Sequence, residues 1–458
     1  MEQVVKHGQK INVTIKRLGI NGEGIAYFRR LIVFIPKALP GEKILAKITN
    51  VTAKFAEAEL IQIIQKSPDR IDAPCVFYEK CGGCQLQHLA YKKQLDFKRD
   101  LLQQALTKFK PAGYRNYKLK ETIGMEDPWR YRNKAQFQLR YNFKRQKAEA
   151  GLYETASHNL VAIDNCIVQE PDTQTVINTA VQLINKYQIP IYDEKKNSGI
   201  LKTIMVRKGI RTGEIQLVFI THTNKLPQKN SLIRELTQRI PQLVSIMQNV
   251  QNKKTSLVMG AETELLWGKK SIAEALDELE FDLSARAFFQ LNPYQTKILY
   301  DEARIALALS SQETLVDAYC GVGSIGLSMA KIAKEVRGMD TIPQAIEDAK
   351  RNAKRLGVHN TYYETGTAEE LLPKWLQAGF KPDAIVVDPP RTGLDQQLLR
   401  TLTQQPVKKL VYISCNVSTL ARDLVSLAQV YDIHYLQSVD MFPQTARCEV
   451  VVKMTKKK

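Results

Sequence analysis

The 458-residue chain has no uncharged apolar stretch near the length of a membrane span, the longest being short runs such as Leu31 to Pro36. Its first ten residues, MEQVVKHGQK, hold no apolar run of signal-peptide length. There is no low-complexity tract beyond the basic end Lys456 to Lys458, and no repeat of a solenoid's period. These absences exclude membrane-embedded, fibrous and repeat architectures, and the expectation is a soluble, cytoplasmic protein. Seven cysteines in such a chain do not suggest a disulfide framework. Acidic charge is scarce: 47 Asp and Glu stand against 66 Lys and Arg, a formal net charge of +19 spread along the chain. A polyanionic partner follows. With 44% apolar residues the chain can bury real cores, and at roughly 150 residues per domain it is too long for one.

Residues 91–150 carry 16 Lys or Arg against 6 Asp or Glu, interleaved with Tyr91, Phe97, Tyr114, Tyr117, Trp129, Tyr131, Phe137 and Tyr141. Such a mixture offers phosphates a charge and unstacked bases a ring. The bland alternative is a solvated basic face over ordinary core aromatics.

Three regions follow from the patterning. Residues 1–64 alternate apolar and polar with breaks at Asn21 to Gly24 and Ala38 to Glu42, which predicts five short strands closing into an OB-like barrel. SPDR (Ser67 to Arg70) and Pro74 act as a linker. Residues 70–287 open on a cysteine cluster and a helix from about Leu89 to Phe109. They then mix strands such as KAQFQLRY with helices such as TVINTAVQLINKY, an α+β domain. From Phe288 to the end, ETLVDAYC, KEVRGMD, PDAIVVDPP and KKLVYISCN are apolar strands separated by helical segments, which predicts a parallel α/β sheet covered on both faces.

The chemistry-bearing motifs sit in that last region. A glycine-rich strand-to-helix turn spans Asp317 to Gly326, where backbone stripped of side chains can approach a ligand. Asp340 closes the next strand, 23 residues on, where a carboxylate can accept from a ribose diol. Asp388-Pro-Pro-Arg ends a third strand and Ser414-Cys415-Asn416 a fourth, bringing a carboxylate and a thiol to one sheet edge. A thiol has a use there: uracil C5 is too weak a nucleophile to attack a methyl sulfonium, but addition of a thiolate at C6 makes it an enolate carbon. A base must then remove the C5 proton, and Glu449, opening the final strand in MFPQTARCEVVVKM, is available.

The glycine turn, DPPR, SCN and the late MFPQTARCE together resemble the RNA uracil-5-methyltransferase family, over roughly the last 170 residues in order and spacing. The resemblance implies a Rossmann-like class I S-adenosylmethionine (SAM) methyltransferase domain at 288–458. It implies Cys415 as nucleophile and Glu449 as base, with Gln290, Tyr319, Gly321, Asp340 and Asp388 at the cofactor, and Phe288 and Asp388 at the target base. Cys75, Cys81, Cys84 and Cys166 offer four thiolates, which ligand chemistry alone leaves open between zinc and iron–sulfur. The surrounding CGGCQLQH resembles the iron–sulfur segment of the ribosomal members, which implies a [4Fe-4S] cluster of structural role. Residues 1–64 resemble a TRAM domain, the RNA-binding barrel of the large-subunit rRNA members. The expected activity is therefore methylation of a uridine C5 in 23S rRNA, with no obligatory protein partner. A tRNA uracil-5-methyltransferase, or a non-catalytic RNA-binding assembly factor on the same fold, is the alternative.

Overall fold

The computed structural model describes residues 5–458. The N-terminal unit is a six-stranded sheet of Lys10–Thr14, Arg17–Leu18, Gly24–Phe28, Leu31–Ile35, Lys43–Val51 and Phe55–Gln65, ordered first, fifth, sixth, fourth, third, second. Its sixth strand beyond the five expected is the two-residue Arg17–Leu18, too short to leave an alternation. Strict alternation in Lys43–Val51 turns Ile44, Ala46 and Ile48 into the core. The linker is docked, because the buried carboxylate of Glu42 accepts from Arg70 Nε at 2.5 Å and from Leu39 N at 2.8 Å.

The central sheet has seven strands. Lys134–Asn142, Leu201–Lys208, Ile215–Thr221 and Leu243–Val250 form its middle, and helices Pro171–Lys186 and Lys229–Arg239 close one face over Phe137, Ile204, Leu217 and Phe219. A hairpin, Ser271–Leu276 with Leu279–Ser284, leads out of it.

The C-terminal sheet runs Thr361–Thr365, Glu335–Asp340, Thr314–Ala318, Ala384–Val387, Lys409–Ser414, Glu449–Lys456, Tyr431–Val439, with Lys118–Leu119 at the far edge. The first five strands are parallel, as apolar strands alternating with helices dictate. The expected all-parallel sheet needs one correction: Glu449–Lys456 inserts antiparallel between Lys409–Ser414 and Tyr431–Val439. Periodicity reports burial on two faces but not direction. Helix Tyr91–Phe109 and strand Lys118–Leu119, read from the sequence with the central region, pack with this sheet. Phe97, Leu101, Leu102 and Leu106 share a core with Val417, Leu420 and Leu424.

The aromatics of the basic segment divide between core and surface, with Tyr91, Tyr114, Tyr117 and Trp129 half-buried. Phe97, Tyr131 and Phe137 are buried, and the exposed rings are Tyr141 and its neighbour Phe143 at a hairpin tip. No helix among the described residues is long and apolar enough to cross a membrane.

Candidate active site at the sheet edge

Strand Thr314–Ala318 delivers its turn through three left-handed residues, Tyr319 (φ 69°), Gly321 (φ 55°) and Gly323 (φ 82°), into helix Ser324–Ala330. Left-handed backbone is unfavourable for a tyrosine, so the turn is held by its surroundings. Asp317 Oδ2 accepts from Gly326 N at 2.7 Å, and a Cβ on Gly326 would stand 2.9 Å from Val336 Cγ1. Asp340 Oδ2 accepts from Gly321 N at 3.0 Å, and its Oδ1 from Ile342 N at 2.9 Å. Asp340 thus braces the glycine turn while each oxygen keeps a lone pair for a ligand.

Asp388 follows strand Ala384–Val387, and Cys415 follows the adjacent Lys409–Ser414. Ser414 pairs with Val450 in the antiparallel ladder, so Cys415 and Glu449 occupy the next, facing positions at the same edge. The inverted final strand therefore starts where its neighbours end. Burial, with the charges of Glu449 and Asp388 adding, pushes the Cys415 thiol up to about 12, and Arg391 pulls it down. Burial alone pushes Asp388 up to about 7. Glu449, nearly inaccessible, is raised well above the ordinary carboxylate range by burial and by Asp388, with Arg391 again opposing. Arg391 and Arg447 are functional candidates that motif reading passed over. Neither has a carboxylate partner among the described residues, and both act on Cys415. The signal was present in DPPR and TARCE, each a cation within three residues of an acid already singled out.

In the FFQLN segment Phe289 packs in the core against Phe281, while Phe288 is 58% exposed. Gln290 is buried, and its amide makes no hydrogen bond among the described residues. The central domain sets this segment in place. Arg207, a buried guanidinium, donates to Ala287 O at 2.6 Å and Ser284 O at 3.3 Å, and Asn133 N donates to Leu291 O at 3.0 Å.

The loop before Glu449, which the sequence offered only as a turn, is held from all sides. Asp440 O accepts from Gln295 Nε2 (3.1 Å), Met441 O from Asn292 Nδ2 (3.1 Å), Phe442 O from Lys98 Nζ (3.1 Å) and Pro443 O from the Tyr131 hydroxyl (2.9 Å). Gln444 O accepts from both Gln85 N and Leu86 N at 3.0 Å. The Asp440 carboxylate forms a fully buried ion pair with Lys98 and accepts from the Tyr91 hydroxyl at 2.9 Å. Buried carbonyls must find donors, and here five successive ones draw them from separate parts of the chain.

Cys75, Cys81, Cys84 and Cys166 line one cavity of about 30 Å³. Their convergence is a tertiary fact, since Cys166 arrives from beyond the first three strands of the central sheet. Among the described residues no three His, Cys, Asp or Glu side chains stand close enough to hold a metal ion. Burial raises the thiols of Cys75, Cys81 and Cys84, the last to about 12. Cys320 and Cys448 are buried packing residues.

A doubly wound sheet with a glycine turn after its first strand, and a thiol and carboxylates at the strands' ends, has the form of a nucleotide- or SAM-binding enzyme domain. Residues 90–457 match the tRNA (uracil-5-)-methyltransferase family and residues 4–61 match the TRAM domain, so the chain belongs to that methyltransferase family and carries a TRAM domain at its N-terminus. It is 66% identical to an uncharacterized RNA methyltransferase of Enterococcus faecalis over the full length of both, and 56% identical to one of Listeria innocua over 99% of each. Among solved structures it is similar to the tRNA (uracil-54, C5)-methyltransferase of Pyrococcus abyssi in complex with S-adenosyl-L-homocysteine. The TM-score is 0.77 at 27% identity, covering 97% of this chain and 99% of that one.

Proposed function

We propose that the protein transfers the methyl group of SAM to C5 of a uridine in 23S rRNA through a covalent adduct between Cys415 and C6. The observation that carries this reading is the reversed final strand, which sets Glu449 opposite Cys415 and beside Asp388. SAM supplies the electrophilic methyl. Tyr319, Gly321, Asp340 and Gln290 would hold it, and the glycine turn and the unpartnered Gln290 amide fit such a ligand. The target base must leave its stack, because C5 and C6 are shielded within it, and the exposed Phe288 offers a ring for the extruded base. Cys415 adds to C6 as its thiol loses a proton, and Asp388, poised at about 7, is the neighbouring carboxylate able to take it near neutrality. Arg391 favours the ionised forms of both Cys415 and Glu449. Once C5 carries the methyl group, Glu449 removes the C5 proton and the Cys415 sulfur is eliminated.

The four cysteines are proposed to hold a [4Fe-4S] cluster. The support for this is the donor set alone: four thiols line one cavity, and four thiolates are the ligands such a cluster takes. The cluster's role is structural, since methyl transfer needs no electron. Iron rather than zinc in protein purified without oxygen tests this.

tRNA is the second reading of the substrate, favoured by the near full-length likeness to a tRNA enzyme. That likeness spans 97% of this chain, so the N-terminal barrel does not by itself select rRNA. Protein-free 23S rRNA and tRNA compared as methyl acceptors decide between them. The mechanism is tested with radiolabelled SAM. Cys415→Ala should give neither adduct nor product, whereas Glu449→Gln should accumulate labelled RNA bound to protein on a denaturing gel. Full-speed turnover by Glu449→Gln would remove it from the mechanism.

A further inference from the structure

Gln444 joins the cysteine cavity to the catalytic edge. Its carbonyl takes both backbone donors of Gln85 and Leu86, the residues that directly follow Cys84. Gln444 is left-handed (φ 69°), and Gln94 grips it at two points: Gln444 N donates to Gln94 Oε1 and Gln94 Nε2 to Gln444 Oε1, each at 3.0 Å. The same Nε2 also donates to Leu86 O at 3.0 Å.

On the other side the cysteine segment is tied within itself and, through Gly82 N to Tyr153 O at 3.0 Å, to the central sheet. Tyr78 N donates to Cys75 O (3.0 Å), Cys81 N to Phe77 O (2.8 Å), Gln85 Nε2 to Gly82 O (2.9 Å) and the Tyr78 hydroxyl to Gln85 O (2.7 Å). A displacement of Cys84 therefore reaches Gln444 through two peptide groups with no slack between them. Gln444 lies three residues before Arg447 and five before Glu449.

We infer that Gln444 is a positioning residue through which the four-cysteine site holds Glu449 in register, so that the covalent intermediate is resolved only when that site is intact. This rests on the proposed role of Glu449. Cys415 follows Lys409–Ser414, which among the described residues makes no bond to the cysteine segment, whereas Glu449 follows directly on the loop that does, so attack and resolution respond differently. The cysteine site then acts on the later step of the cycle and spares the earlier one.

The test uses the full chain with Cys84→Ser. Backbone hydrogen exchange of the peptide covering residues 440–449 should quicken about tenfold although it lies far from the change in sequence. Adduct formation should stay within about twofold of wild type, with product release slowed about ten- to a hundredfold and KM for RNA unchanged. Quickened exchange confined to residues 75–89, or equal slowing of attack and release, would overturn the inference. Should Cys84→Ser not fold, Gln94→Leu leaves all four thiols in place and should give the same split between attack and release; a wild-type ratio would overturn it. The exchange measurement needs no turnover. A failure of the Glu449 assignment, seen as full activity of Glu449→Gln, is therefore distinguishable from a failure of the coupling.

Discussion

The glycine turn at Asp317–Gly326 and the loop at Asp440–Arg447 both end at the candidate site, but they are built in opposite ways. The turn is made by its own strand and helix, with help from the adjacent strand: Asp317 accepts from Gly326, and Asp340 from Gly321. The loop makes few bonds of its own and takes its donors from residues 85, 86, 94, 98, 131, 292 and 295. A local device can be altered one residue at a time, whereas a device assembled from distant segments fails as a unit.

The loop should therefore show the larger response. Lys98→Met leaves the Asp440 carboxylate buried without its cation, and unfolding in urea should show a loss of about 3–5 kcal/mol. Replacing Asp440 by Asn in the same chain removes the stranded charge and should restore most of that loss, because the pair contributes little net stability once both charges are absent. A single replacement costing under about 1 kcal/mol would mean that the ion pair does not hold the loop.

The same contrast explains what was legible. Asp317, Gly321, Asp340, Asp388 and Cys415 could be singled out because each lies at the end of an apolar strand, where pattern and position coincide. Glu449 could be singled out as a candidate but not as the facing partner of Cys415, which depends on a strand direction that alternation does not encode. Arg391 and Arg447 were passed over because a surface arginine has no pattern, and the loop's donors because side-chain bonds to carbonyls 300 residues away leave no local signature. Which aromatics of residues 91–150 reach solvent was not legible, since composition cannot distinguish Phe97 in a core from Phe143 on a hairpin tip.

Within the glycine turn, two positions separate steric from conformational constraint. Gly326→Ala places a methyl 2.9 Å from Val336 Cγ1 and 3.0 Å from Asp317 Oδ2, which forces the helix away from its strand at a cost of about 1–3 kcal/mol. Gly321→Ala meets nothing within 4 Å and bears only the left-handed backbone, about 1 kcal/mol. Calorimetric titration with S-adenosyl-L-homocysteine should rank them in that order, with Gly321→Ala weaker than wild type by no more than about tenfold. A reversed order would show that ligand contact with the backbone at 321, rather than packing at 326, dominates the turn.

The last effect is seen only on changing pH and concerns Asp317, whose folded carboxyl is pushed up to about 7 by burial, with Asp388 and Asp340 adding, while its Oδ1 lies buried without a partner. An unfolded Asp titrates near 3.9, so between about pH 4 and pH 7 the folded chain keeps a proton that the unfolded chain has released. Stability from this group is full below the unfolded value and falls as pH rises toward 7, the reverse of a salt-bridged aspartate. Asp317→Asn keeps an acceptor for Gly326 N and does not titrate, so the unfolding free energy from urea titrations should fall less between pH 5 and pH 7 than in wild type, by about 2 kcal/mol. The slope should flatten without vanishing, because Asp388 titrates in the same window and remains. Parallel slopes for the two proteins would mean that Asp317 is ionised in the folded chain across that range, and that the turn braces a charge rather than a neutral acid.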